Sequence, residues 1–268
     1  MTFAQLEQSS RSGAPVSFYR LAWGNTVWRY TNSDRDYILD GETYVPAAIT
    51  EGKTKAGGRD VPEIKIEVPT RLPVVDLFRG TPPSTRVVLT VRSLQPADGE
   101  AKYRWIEPVT NVQPVDNAKS VIVSRINGLR RAGLRLTYGV GCKFPLYGPG
   151  CELDKTPWGV ARTIVAVDGN SIQLDASSPS PGYFNGGMME WDADGLGTLD
   201  ARTIERETAS DTYTLFGRGD RLEAGMTVTC YPGCPRSSAG CISFDNLVNY
   251  PGFDFMLGES PFDGKALV

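Results

Sequence analysis

The sequence predicts a mainly β protein: an N-terminal β-sandwich or barrel-like domain over residues 1–125, a β-rich domain over 126–245 that holds every cysteine, and an extended arm over 246–268. Three observations carry this prediction. Short runs rich in aromatic and β-branched residues recur along the chain. Several alternate apolar with polar residues, the period-two pattern of a half-buried strand. Finally, 29 Gly and 19 Pro punctuate the runs at intervals too short for long helices.

Taken in order, "VSFYRLAWGNTVWRYT" (16–31) reads as two strands flanking a Gly24-Asn25 turn. "DYILDGETYVPAAI" (36–49) repeats the form around Asp40-Gly41. "PEIKIEVP" (62–69) is strictly alternating, and "TRVVLTVRSL", "YRWIEPVTNV" and "KSVIVSRI" continue the series. Beyond the first block, "ARTIVAVDGNSIQLD" predicts strand–turn–strand around Gly169-Asn170. "TYTLFGRGDRLEAGMTVTC" predicts the same around Gly217 to Asp220. Helix is expected only at "TFAQLEQSS" near the start and for one turn near "PVVDLFRG". The final stretch, "FDNLVNYPGFDFMLGESPFDGKALV", is aromatic without periodicity and reads as an arm.

Charge and composition narrow the function. Lys and Arg number 28 against 31 Asp and Glu, a net charge of −3, which argues against a dedicated nucleic-acid binder. No apolar run reaches the roughly 20 residues that span a bilayer. The opening "MTFAQLEQSSRSGAP" lacks the basic and apolar regions of a secretory signal, so synthesis in a reducing cytoplasm is expected. The absence of histidine removes Ser–His–Asp and Cys–His catalysis and all histidine metal sites. Glu190, Asp192 and Asp194 in "EWDADG" offer a carboxylate cluster, but Asp-x-Asp-Gly reads first as turn chemistry. "GRGD" (217–220) reads as a Gly-rich turn. No G-x-G-x-x-G or Walker A motif is present, and an enzyme is not expected.

The cysteines hold the most chemistry: Cys142, Cys151, Cys230, Cys234 and Cys241. Cys142 and Cys151 bracket "KFPLYGPG", and Cys234 and Cys241 bracket "PRSSAG". Four readings stand open. Disulfides suit secreted chains with even cysteine counts. Structural zinc favours tight knuckles with two to four intervening residues. Free buried thiols prefer strand interiors to Gly/Pro loops. A [4Fe–4S] cluster takes four thiolates from different directions, which wide loops supply, and the spacing favours it. Its anionic charge would be offset by the basic set Arg130, Arg131, Arg135 and Lys143 around Cys142.

A family resemblance joins these features. "PVSFYRLAWGNTVWRYTNSDRDYILDGETYVPAAITEG", "YFNGGMMEWDADG" and "PGCPRSSAGCISFDNLVNYPGF" resemble segments of a conserved phage family of the distal tail tip, found in long-tailed phages and gene-transfer agents. The cysteine spacings, nine positions and then seven, are similar to those of tail tip proteins of lambda-like phages. The resemblance implies a structural hub protein at the distal end of the tail, synthesised in the host cytoplasm and assembled as a homotrimer ring. Its implied partners are the distal tail protein, the central hub–fibre protein and the tape-measure C-terminus. It also implies Cys142, Cys151, Cys234 and Cys241 as ligands of a [4Fe–4S] cluster; zinc stays open as the alternative metal from the spacing, and Cys230, extra to the family pattern, as an additional or alternative ligand. Tyr250, Phe253, Phe255 and Phe262 of the arm are candidate partner contacts. Two other classes compete: a stand-alone cytosolic iron–sulfur redox or sensor protein, and a tail-associated cell-wall hydrolase.

Overall fold

The computed structural model describes residues 15–52, 62–95, 100–126, 139–176 and 179–256. The "TFAQLEQSS" helix, Arg130, Arg131, Arg135 and Phe262 lie outside the described residues. The chain divides into two compact units: residues 1–131 with 192–200, and residues 132–191 with 201–268.

In the first unit, β1 (Val16–Trp23) and β2 (Thr26–Thr31) form the predicted hairpin, with Trp23 opposite Thr26 across the Gly24-Asn25 turn. Gly24 is required twice over. Its φ is +53°, and a Cβ there would stand 2.2 Å from the Thr198 hydroxyl oxygen. β3 (Tyr37–Leu39) and β4 (Glu42–Pro46) pair across Asp40-Gly41, both at positive φ, as an Asp-Gly hairpin demands. With β5 (Thr50–Glu51), β6 (Glu63–Pro69), β7 (Val87–Leu94), β8 (Ala101–Pro114) and β9 (Lys119–Arg125) they make one nine-stranded sheet, in the order β3-β4-β2-β1-β7-β8-β9-β6-β5.

Alternation places Tyr19, Leu21 and Trp23 of β1 on the same core face as Ile64, Ile66 and Val68 of β6 and Val87, Leu89 and Val91 of β7. Helix α1 (Pro73–Asp76), the single turn expected from "PVVDLFRG", adds Val74 and Val75 to that core. Register shifts at Val91/Arg92 and Val109/Asn111 bend the sheet. It curls far enough for Glu51 on edge strand β5 to accept a 2.7 Å hydrogen bond from the Tyr19 hydroxyl on β1. This coiling is the barrel-like character expected of the N-terminal block.

The segment 192–200 belongs to this first unit, although the sequence boundaries put it in the second block. The reason is local. Asp194 accepts from the Thr26 hydroxyl at 2.7 Å, Thr198 Oγ1 accepts the Asn25 N–H at 2.9 Å, and Asp200 accepts both the Ser84 N–H and hydroxyl. Within the segment, Asp192 takes the N–H groups of Gly195 and Gly197, and Asp194 those of Leu196 and Thr198. The Asp-x-Asp-Gly sequence is thus turn chemistry.

The second unit is built on a closed barrel. Its strands are β10 (Val160–Asp168), β11 (Ser171–Leu174), β12 (Met188–Asp192), β13 (Leu199–Ala209), β14 (Thr212–Leu215) and β15 (Thr227–Tyr231), in the order β10-β11-β14-β13-β12-β15. The β10–β11 hairpin turns at Gly169-Asn170 as predicted. The expected pairing of "TYTL" with "MTVTC" does not occur: β14 pairs with β11 and β13, and β15 with β10 and β12. Barrel closure gives β15 two partners elsewhere, so the Gly217–Asp220 stretch is a long connection and not a hairpin turn. Ile164, Ile172, Phe184, Met189, Trp191, Ile204, Tyr213, Leu215 and Val228 fill the interior. Arg162, fully buried among them, donates to the Asp175 carboxylate at 2.6 Å and the Asp211 carboxylate at 2.8 Å.

Candidate metal centre

Two connections and one barrel edge build the site. The loop ahead of β10 carries Cys142 and Cys151. It folds through a Pro145–Gly148 turn, with the Gly148 N–H donating to the Pro145 carbonyl and the Cys151 N–H to the Gly148 carbonyl, both at 3.1 Å. Tyr147, Gly150 and Glu152 take positive φ there, and the Tyr147 hydroxyl donates to the Pro232 carbonyl. The second connection follows β15: Pro232-Gly233-Cys234-Pro235-Arg236 leads into helix α2 (Ser238–Ser243). Ser237 caps that helix by accepting the Gly240 N–H. Cys241 therefore sits on a short helix, not in the loop its Gly/Pro surroundings suggest. The Cys142 N–H donates to the Arg236 carbonyl at 2.8 Å, tying the two connections together.

The third wall is "FNGG", residues 184–187. Gly186 has φ +70°, and a Cβ on Gly187 would stand 2.0 Å from the Tyr231 carbonyl oxygen, so the chain passes against the start of the second connection only as glycine. Phe184 anchors this corner in the barrel with no exposed surface.

These walls enclose a cavity of about 220 Å³ lined by Cys142, Cys151, Cys234 and Cys241, together with Tyr147, Gly187, Met188, Thr203 and Arg236. Cys151 and Cys241 are buried, while Cys142 and Cys234 are partly exposed. None of the five cysteines forms a disulfide. Burial, and then the proximity of Cys234, Cys142 and Cys151, pushes the Cys241 thiol up. Two N–H groups point at sulfur: the Arg236 backbone N–H lies 3.4 Å from Cys234 Sγ, and the Asn246 side-chain amide lies 3.6 Å from Cys151 Sγ. Among the described residues no three Cys, Asp or Glu side chains converge closely enough to hold one metal ion, so the structure by itself assigns no metal.

The remaining sequence candidates fall elsewhere. Cys230 does not line the cavity. It is fully buried in β15, opposite Val160 and Met189, where burial pushes its thiol up to about 12. Lys143 is exposed beside Cys142. Arg236 was not among the basic residues expected at the site; its position two residues after Cys234 was the available signal. On the arm, Tyr250 donates to the Val140 carbonyl at 2.6 Å and lines the same groove as Phe253 and Phe255. Phe253 and Phe255 line this groove of about 680 Å³ with Leu247 and Met256, and Phe255 is wholly exposed.

No curated protein sequence matches the chain. The structure is similar to a chain from the solved "Virion of native gene transfer agent (GTA) particle", with a TM-score of 0.74 and 18% identity over 99% of this chain and 97% of that chain. At that identity the likeness is one of fold. Residues 182–260, which include the Phe-x-Gly-Gly corner, Cys230, Cys234, Cys241 and Asn246, match the sequence model of the family described as "Phage conserved hypothetical protein BR0599".

Proposed function

We propose that this chain is a structural subunit of the distal tail tip of a long-tailed phage or tail-like particle. In this reading it forms a trimeric baseplate hub ring. The ring joins the distal tail protein to the central hub–fibre protein and seats the tape-measure C-terminus. The observation that carries the assembly role is the end-to-end fold likeness to a chain of a gene-transfer-agent virion. The phage-family match over residues 182–260 supports it independently. The role is structural and not catalytic.

We further propose that the four-cysteine cavity holds a [4Fe–4S] cluster through Cys142, Cys151, Cys234 and Cys241. The fit rests on four soft thiol donors lining one cavity and on N–H groups already aimed at two of the sulfurs. When bound, the cluster supplies a cross-link whose binding energy becomes folding energy for both connections.

The test has two parts. Protein purified without oxygen should be brown, with near-equal iron and sulfide; one zinc and no colour would keep the cross-link and refute the cluster. Particles carrying a tag on this chain should show the label at the distal end of the tail, and a label distributed along the tube would refute the hub role.

A further inference from the structure

Asn246 is a buried polar residue just beyond helix α2, and its bonds converge on the cysteine cavity. Its backbone N–H donates to the Cys241 carbonyl at 2.8 Å. Its side-chain Nδ2 donates to the Cys151 carbonyl at 2.7 Å and lies 3.6 Å from Cys151 Sγ. Its Oδ1 accepts from Asn249 Nδ2 at 2.8 Å.

This network fixes which way the amide faces. A backbone carbonyl only accepts, so the group turned toward Cys151 must be the NH₂, and the Asn249 donor requires the oxygen on the other side. An NH₂ carries two hydrogens. One serves the Cys151 carbonyl, and the other is left for the sulfur. A neutral thiol is a poor acceptor, whereas an anionic or metal-bound sulfur makes a charge-assisted bond. The second hydrogen is therefore placed to serve Cys151 as a ligand sulfur.

We propose that Asn246, oriented by Asn249, is a positioning residue that directs and tunes the Cys151 sulfur toward the group held in the cavity. The proposal rests on the cluster reading above. A partner of this kind orients its ligand and adjusts its electron density, and losing one commonly costs about tenfold or more in metal affinity. Removing a donor to sulfur also disfavours the more negative, reduced state of a cluster.

The experiment compares wild type, Asn246→Asp and Asn249→Ala, purified without oxygen as full chains, by iron release to a chelator and by reduction potential. Asn246→Asp keeps the shape but replaces the donor with a negative charge. Asn249→Ala leaves Asn246 in place and frees its amide to turn, so it serves if the first variant fails to fold. The expected result is about tenfold faster iron release in Asn246→Asp. A potential more negative by about 59 mV would accompany it, equivalent to a tenfold change for one electron. Asn249→Ala should shift both in the same direction by less. A loaded wild type whose variants release iron and titrate as it does would overturn the role of Asn246 alone. A wild type without metal would overturn the cluster reading and this one with it.

Discussion

Replacing Cys230 with alanine separates the two roles a fifth cysteine can play. Its thiol is fully buried in β15, and burial raises it from 9.0 to about 12, partly opposed by the Arg162 guanidinium and reinforced by the Asp175 carboxylate. At neutral pH the substitution removes one buried sulfur, comparable to a deleted methylene, and should cost about 1 kcal/mol. Alkaline pH changes the comparison. In the unfolded chain the thiol ionises near its ordinary value, while in the fold it holds its proton. The unfolded state therefore binds fewer protons, and wild-type stability falls as pH rises through the window from 9.0 to about 12. By pH 10 that loss amounts to about 1.4 kcal/mol, one pKa unit's worth.

The alanine variant has no thiol to ionise and escapes that loss. Its deficit of about 1 kcal/mol at pH 7 should thus shrink through pH 9 and reverse slightly by pH 10, where the wild-type loss of about 1.4 kcal/mol exceeds it. Urea titrations of both proteins at the three pH values read this directly, because other alkaline titrations are common to both and cancel in the difference. Iron content per chain should be the same in the two proteins. A stability gap that stays constant with pH would refute the buried-thiol account. A fall in iron on losing Cys230 would show it to be a ligand after all.

Three further outcomes follow from other parts of the molecule. Arg162→Ala should destabilise the barrel by about 3 kcal/mol in urea titrations, because it strands the largely buried Asp211 carboxylate; a loss below about 1 kcal/mol would refute the charge network's importance. The Asp194 carboxyl is held well below the usual range, since burial opposes its charge but hydrogen bonds from Thr198, Thr26 and the loop backbone outweigh that effect. A lowered folded value stabilises at neutral pH, and that stability is lost as pH falls below the ordinary value of 3.8, so wild type should lose more stability on acidification than Asp194→Asn; equal losses would refute the assignment. Gly187→Ala forces a Cβ against the Tyr231 carbonyl and should cost about 3 kcal/mol or more in thermal melts, and a near-neutral effect would mean that this corner yields easily.

How much of this was legible in the sequence depended on the range of the interaction involved. The Gly24-Asn25, Asp40-Gly41 and Gly169-Asn170 turns join adjacent strands, so local turn chemistry was enough to place them. The glycines at 217 and 219 send the same local signal, yet β14 and β15 lie apart in the barrel, because closure assigns their partners from distant strands. The cysteines divide in the same way. Period-two alternation in Thr227-Val228-Thr229-Cys230 already points Cys230 inward beside Val228, a signal available without any structure. The four cavity cysteines were placed by spacing and resemblance, while Arg236 and Asn246 were not. Asn246 reaches Cys151 across 95 positions, and nothing local to "FDNLVN" says which of its asparagines faces a sulfur. Fold therefore supplies what spacing could not: the donors that decide whether four nearby thiols behave as a binding site or as a set of buried side chains.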